Sequence, residues 1–330
     1  MIVPLAAPLT VLELIDQCTA RLEAAGLSLA NGFGQGTLNA FDEAAWLVLW
    51  ALGLPLDNLD GVENRSVAQQ KQALVATLLE ARITTRKPLA YLTKEAWLQG
   101  VAFYVDERVI IPRSFIAELI VDESIDPWLI EPSAAPGRAK QASDPSGGSA
   151  AHEVASVGVK PFRVLDLCTG NGSLAVLAAM AYPDVVIDAT DISADALAVA
   201  RINVDKHDLA RRITLIESDG LEACNGQING GYDLILCNPP YVNAATMAAL
   251  PAEFKAEPAL ALASGSDGMD FIRQVFLTIS AHMSENAVLV LEIGNERENF
   301  ERAFPTLEPL WFETSGGPDQ VLLLTKQQLQ

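Results

Sequence analysis

The chain has 330 residues, half of them apolar, with 42 acidic against 22 basic residues and a formal net charge of -20. Length and apolar content exclude a largely disordered chain and leave room for two domains, while the charge excludes general affinity for phosphate backbones unless one patch is locally basic. Such a surface either keeps the protein soluble or attracts a basic protein partner.

The N-terminal stretch MIVPLAAPLTVLELIDQ has no basic residue ahead of its apolar part, and acid appears by Glu13, unlike a signal or transit peptide. No apolar run reaches the roughly 18 residues that span a bilayer, so no membrane association is expected. Thr10 and Glu13 form a capping-box pattern, and Leu12, Ile15, Cys18 and Leu22 follow at helical spacing. Phe41 to Leu52 and Val67 to Ile83 are also helix-like, so residues 1–90 read as a small all-α unit for substrate docking or packing. Tyr91 to Arg113 breaks into short strand-like pieces with turn points at Gly100 and Asp106-Glu107, a β-hairpin connector. With an apolar helix from Ser114 to Ile125 it makes a connecting unit, 91–130. Residues 131–161, rich in Ala, Ser, Pro and Gly, read as a flexible linker spanning roughly 30 Å if unstructured.

Residues 162–330 alternate strand and helix. Apolar runs at 163–168, 184–191, 213–218, 232–238, 287–294 and 320–326 are separated by helical patterns such as 193–206 and 268–282. Continuous apolar strands between helices predict an α/β fold with a parallel sheet covered on both faces, whose ligands bind at the carboxyl ends of the strands. Cys18, Cys168, Cys224 and Cys237 contain no CxxC pair and the three histidines stand alone, which points to a reduced, cytoplasmic chain without a metal.

The strand tips carry the chemistry. Gly170, Asn171 and Gly172 open a G-x-G-x-x-A loop before a helix, a pattern shared with nicotinamide-binding folds. Asp191, 19 residues after Gly172, stands where a carboxylate accepts ribose hydroxyls. Asp166, Asp191 and Asp219 around one pocket would repel a pyrophosphate but suit a ligand with an ammonium, a sulfonium and ribose, as in S-adenosylmethionine. Asp166 and Asp219 can equally cap helices or bind turn amides. The fourth tip reads Asn238-Pro239-Pro240-Tyr241. An amide or ring nitrogen is hard to alkylate because its lone pair is delocalised. The Asn238 side chain and the Pro239 carbonyl can accept both hydrogens of an NH2 group, prolines preset those acceptors, and Tyr241 offers a ring face. The alternative is an ordinary strand-ending turn.

These motifs resemble the class I S-adenosylmethionine-dependent methyltransferases of amide and exocyclic amino nitrogen, and more narrowly the HemK-type protein-glutamine methyltransferases. DLCTGNG, ATDIS, ESDG, NPPYV, EPALALASGSDGMDF and LEIGNE occur in the family's order. The resemblance implies a Rossmann-like, mostly parallel seven-stranded sheet behind a small helical domain. It carries Asp166, Gly170, Asn171, Gly172, Asp191, Asp219 and Asn238 onto the cofactor, and Asn238, Pro239, Pro240 and Tyr241 onto the glutamine amide. Arg113 and Glu118 either shape the pocket or serve a domain contact, and Glu257 and Pro258 cover the substrate by position alone.

Release-factor enzymes of the family typically carry IPRP-x-TE after the hairpin. This chain has IPRSFIAEL from Ile111 to Leu119 and EAWLQGVAFYVDERV before it, similar to the branch acting on the large-subunit ribosomal protein L-three. The 131–161 segment and Phe115, where Pro or Tyr is common, depart from the family pattern. The reaction implied is direct methyl transfer to a glutamine amide nitrogen of a basic ribosomal protein, with no direct nucleic-acid partner. Competing readings are a release-factor enzyme, a nucleic-acid adenine methyltransferase, a non-catalytic assembly factor and a nicotinamide-dependent oxidoreductase.

Overall fold

The structure, a computed structural model, describes residues 9–29, 31–33, 36–129, 162–224 and 230–330. The 131–161 linker expected from composition lies outside the described residues. The chain begins with helices α1 (Val11–Ala24), α2 (Ala40–Leu52), α3 (Gln69–Thr85) and α4 (Leu89–Thr93). The capping box forms: Thr10 N–H donates to Glu13 Oε2 at 2.8 Å and Glu13 N–H to Thr10 Oγ1 at 3.3 Å. Val11, Ile15, Leu22, Leu47 and Val75 close a separate core between α1, α2 and α3. The hairpin is shorter than its sequence suggests, only β1 (Ala96–Leu98) and β2 (Val101–Phe103), turning at Gln99 and Gly100. Residues 104–113 form no strand: the chain turns at Glu107 and Arg108, where the Val109 N–H donates to the Asp106 carbonyl at 3.1 Å, and on either side of the turn side chains take the backbone groups, Asn203 holding both N–H and C=O of Tyr104 and Glu257 the N–H of Ile111. The apolar helix after them is cut to α5 (Ile116–Val121).

The second half of the chain holds β3 (Arg163–Leu167), α6 (Ser173–Ala181), β4 (Val186–Asp191), α7 (Ala194–Lys206), β5 (Ile213–Glu217) and β6 (Tyr232–Cys237). It continues through α8 (Ala244–Ala249), α9 (Ala252–Lys255), α10 (Asp270–Phe276), α11 (Ile279–His282), β7 (Met283–Glu292), α12 (Arg297–Ala303), β8 (Leu310–Thr314) and β9 (Gly317–Thr325). The strands form one seven-stranded sheet in the order β5-β4-β3-β6-β7-β9-β8. Pairing is parallel from β5 to β7, and β9 runs antiparallel to both β7 and β8. Strand order reverses at β3, which pairs with both β4 and β6, and that switch point opens the crevice in which such sheets bind ligands. Leu234, Ile235 and Leu236 of β6 are fully buried, alternating between the two cores that cover the sheet, and each contributes roughly 1.5–3 kcal/mol of burial. Among the described residues no helix is long and apolar enough to cross a membrane.

Two sets of polar contacts fix the crevice. Beneath the glycine loop, the Asp166 carboxylate is turned inward: Oδ2 accepts from Thr169 Oγ1 at 2.5 Å and from the Ala175 N–H at 3.0 Å, while Oδ1 has no partner among the described residues. Burial pushes its pKa up to about 6, against these two hydrogen bonds. Above the crevice, the segment carrying α8 and α9 is fastened to the helical domain. Arg82 of α3, 1% exposed, donates to Glu43 of α2 at 2.7 Å, to Glu253 of α9 at 2.9 Å and to the Gly32 carbonyl at 2.6 Å, and Arg86 also reaches Glu253.

Arg82→Ala would leave the buried Glu43 carboxylate without its cation and Glu253 with Arg86 alone, so urea unfolding should show a loss of roughly 3–5 kcal/mol, and a loss below about 1 kcal/mol would remove the network from this role. Asp166 binds a proton more tightly folded, at about 6, than in its ordinary range. Its stabilisation is therefore complete below about pH 4 and is lost as the pH rises through 6. In unfolding without added ligand, wild type should lose up to about 3 kcal/mol relative to Asp166→Asn between pH 4 and 7. A pH-independent difference between the two would contradict that assignment.

Candidate active site

The parallel register of β3 and β6 pairs Leu167 with Cys237, so the glycine loop and the Asn238-Pro239-Pro240-Tyr241 tip start side by side. Gly172, in the left-handed region at φ 82° that favours glycine, caps α6, and a Cβ there would sit 3.2 Å from Ala200 Cβ of α7, crowding the contact between the loop and that helix. Asn203, fully buried in α7, donates to the Asn171 carbonyl at 2.8 Å while it holds Tyr104, joining the loop to the chain beyond the hairpin.

A cavity of about 370 Å³ lies over these tips, lined by Gly170, Asp191, Asp219, Asn238, Pro240 and Pro258 among others. Asp191 Oδ2 accepts the Gly170 N–H at 2.9 Å and Oδ1 the Ser193 N–H at 2.9 Å. Each oxygen keeps lone-pair capacity for a diol. Burial raises the Asp191 pKa, and those backbone donors hold the rise back. The lining residues include one cation, Arg108, whose guanidinium is taken by Asp106 in two hydrogen bonds of 2.9 and 2.7 Å. A cavity lined by the carboxylates of Asp191, Asp219 and Asp270, a glycine loop and apolar walls suits a cationic nucleoside such as S-adenosylmethionine better than a pyrophosphate.

A second pocket, of about 150 Å³, opens on the other side of Asn238 and is lined by Ile110, Arg113, Pro239, Tyr241, Phe254 and Glu292 among others. Asn238 and Ile110 border both cavities. Tyr241 is held at its hydroxyl and along its ring. Its OH lies 3.3 Å from Glu292 Oε1, burial followed by that carboxylate drives its pKa well up, and its ring lies where a Cβ on Gly294 would come within 2.6 Å. Glu292, buried at the tip of β7, also accepts from Ser114 Oγ at 2.5 Å and from the Phe115 N–H at 2.9 Å, and burial raises its pKa. Arg113 forms a two-pronged pair with Glu257 at 2.6 and 2.8 Å, which ties the hairpin side of the pocket to the segment after Tyr241.

Of the residues the sequence assigns to a cofactor, Gly170, Asp191, Asp219 and Asn238 line the larger cavity. Asp166, Asn171 and Gly172 do not: Asp166 points beneath the loop, and Asn171 turns its Oδ1 to the Ser173 N–H at 3.2 Å. Pro239, Tyr241 and Arg113 line the smaller pocket, whereas Pro240 faces the larger one. Glu118 lies away from both, binding the N–H of Ser315 at 2.9 Å. Ile110, Glu292 and Asn203 were missed; Glu292 lies in the quoted LEIGNE stretch, but the other two have no motif. Among the described residues no three His, Cys, Asp or Glu side chains gather as metal ligands would, and all four cysteines are free.

Comparison with known proteins agrees with this geometry. A family model described as a methyltransferase small domain matches residues 154–290. The ribosomal protein uL3 glutamine methyltransferase of Bordetella pertussis is 45% identical over 97% of this chain and 96% of its own length. The proteins of the same name from Burkholderia pseudomallei and Neisseria meningitidis are 44% and 42% identical, again over 97% of this chain and over 95% and 94% of theirs. These relatives fall in the ribosomal-protein branch rather than the release-factor branch, and likeness at this level over nearly the whole length places the chain in the ribosomal protein uL3 glutamine methyltransferase family.

Proposed function

We propose that the protein transfers a methyl group from S-adenosylmethionine to the side-chain amide nitrogen of a glutamine in ribosomal protein uL3, in the cytoplasm. The observation that carries this reading is the position of Asn238 as a shared wall between a cavity suited to a cationic nucleoside and a small pocket suited to a planar amide. Bound in the larger cavity, S-adenosylmethionine supplies an electrophilic methyl group.

The chain's own residues do the rest. Asp191 binds the ribose diol and braces the glycine loop, and Asp219 stands at the same cavity's edge. Asn238 Oδ1 and the Pro239 carbonyl accept the two amide hydrogens, which turns the nitrogen lone pair toward the larger cavity. Tyr241, fixed by Glu292, walls the amide on one side, and Ile110, which borders both cavities, lines the pocket on another. Orientation of this kind is worth several of the roughly 7–11 kcal/mol that positioning can supply. The amide proton leaves once the nitrogen is alkylated, so no strong base is required.

Incubation with labelled S-adenosylmethionine, uL3 and a release factor, followed by peptide mass mapping, tests the reading. Label on one glutamine of uL3 is expected, and label confined to the release factor would contradict it. Asn238→Ala should lower kcat by roughly 10- to 100-fold with cofactor affinity within a few-fold of wild type, because amide hydrogens lose a buried acceptor. Asp191→Ala should weaken cofactor binding by roughly 10- to 100-fold in calorimetry, and unchanged affinity would remove Asp191 from the ribose site.

A further inference from the structure

We infer that the cleft between the helical domain and the hairpin is the docking site for a cationic stretch of the protein substrate next to its target glutamine; this rests on the protein-methylating function proposed above. The cleft, of about 590 Å³, is larger than the cofactor cavity and shares no lining residue with it. One wall is α2, which presents Phe41 and Trp46, and the facing wall is the hairpin, which presents Trp97. Phe41 is 39% and Trp97 46% exposed, high for rings of this size. The Trp97 indole N–H donates to Glu95 Oε1 at 2.9 Å, which fixes the ring's orientation. The indole N–H of Trp46 is itself buried and has no partner among the described residues, so this ring meets the cleft through its apolar surface.

Charge names the occupant. Every charged residue lining the cleft is acidic, namely Asp42, Asp57 and Asp60. Among the described residues Asp57 and Asp60 enter no ion pair, and Asp42 accepts from Asn39 Nδ2 at 2.7 Å. Aromatic faces beside unpaired carboxylates hold a guanidinium or ammonium through cation–π and charge-assisted contacts together. The floor of the cleft is Ile111 and Pro112, the residues between Ile110 and Arg113 of the amide pocket. Pro112 also borders a narrow gap whose other walls include Ile110, Arg113 and Asn238. A chain seated in the cleft therefore lies beside the amide pocket, across a single extended segment of this protein.

The test compares wild type with Asp57→Asn/Asp60→Asn and with Trp97→Ala, all at exposed positions, in methyl transfer to intact uL3 and to a short glutamine peptide without basic residues. The expected result is a KM for uL3 raised roughly tenfold in either variant, with kcat, cofactor affinity and melting temperature unchanged and the short peptide unaffected. Added salt should raise the wild-type KM for uL3 more than that of the double aspartate variant. Transfer to uL3 with an unaltered KM in both variants would overturn the docking site and leave the function standing. No transfer to uL3 by the wild type would overturn the function, and the docking site with it.

Discussion

The parallel register between β3 and β6 is the constraint on which the rest of the site depends. Leu167 opposite Cys237 brings two unrelated pieces of chain, a glycine loop and an Asn-Pro-Pro-Tyr turn, to one edge of the crevice. Both strands are buried on both faces, so a slip by one residue would drive apolar side chains out of one core and into the other. The register is thus held by the whole sheet, and the chemistry borrows that rigidity. Prolines extend it one step further, because neither Pro239 nor Pro240 leaves its backbone free to relax.

What the sheet cannot hold, buried charge pairs do. The segment that runs from α8 to Gly265 lines the smaller pocket with its helices and the larger cavity with the residues after them, yet α8 and α9 bury only Glu253. It is fastened to the helical domain through Glu253 with Arg82 and Arg86, and to the segment after the hairpin through Glu257 with Arg113. Such pairs gain little net stability over apolar packing of the same shape, but they permit few alternative geometries. Here that selectivity aligns three parts of the chain, the helical domain, the hairpin connector and the turn after β6, around one amide-sized pocket.

The parts of this arrangement that were legible in the sequence are those where one residue type has one physical use. Continuous apolar runs such as Val164-Leu165 and Leu234-Ile235-Leu236 announce strands buried on both faces, and the capping pair of Thr10 and Glu13 announces α1. Edge strand β8 was not announced, since its exposed and half-buried residues around Phe312 resemble a loop. Tyr91 to Arg113 reads as short strand-like pieces turning at Gly100 and Asp106-Glu107, but past Phe103 no strand forms, and the backbone of Tyr104 and Ile111 finds its hydrogen bonds in Asn203 and Glu257, which are distant in sequence. The expected helix over 268–282 divides into α10 and α11. In the site, Asp191 and Asn238 were legible from position on a strand tip. The inward turn of Asp166 was not, because composition gives no direction to a side chain, and nothing local marks Arg82 or Asn203 as buried junctions.

The central claim is geometric: one planar amide sits against Asn238 and Pro239 with its nitrogen facing the larger cavity. The most direct measurement is a crystal structure with S-adenosylhomocysteine and a uL3 peptide containing the target glutamine. The account predicts the ribose diol on Asp191 and the glutamine amide nitrogen donating to Asn238 Oδ1 and the Pro239 carbonyl, beside the Tyr241 ring. A glutamine bound elsewhere, or an amide whose oxygen rather than nitrogen faces the cofactor sulfur, would contradict it.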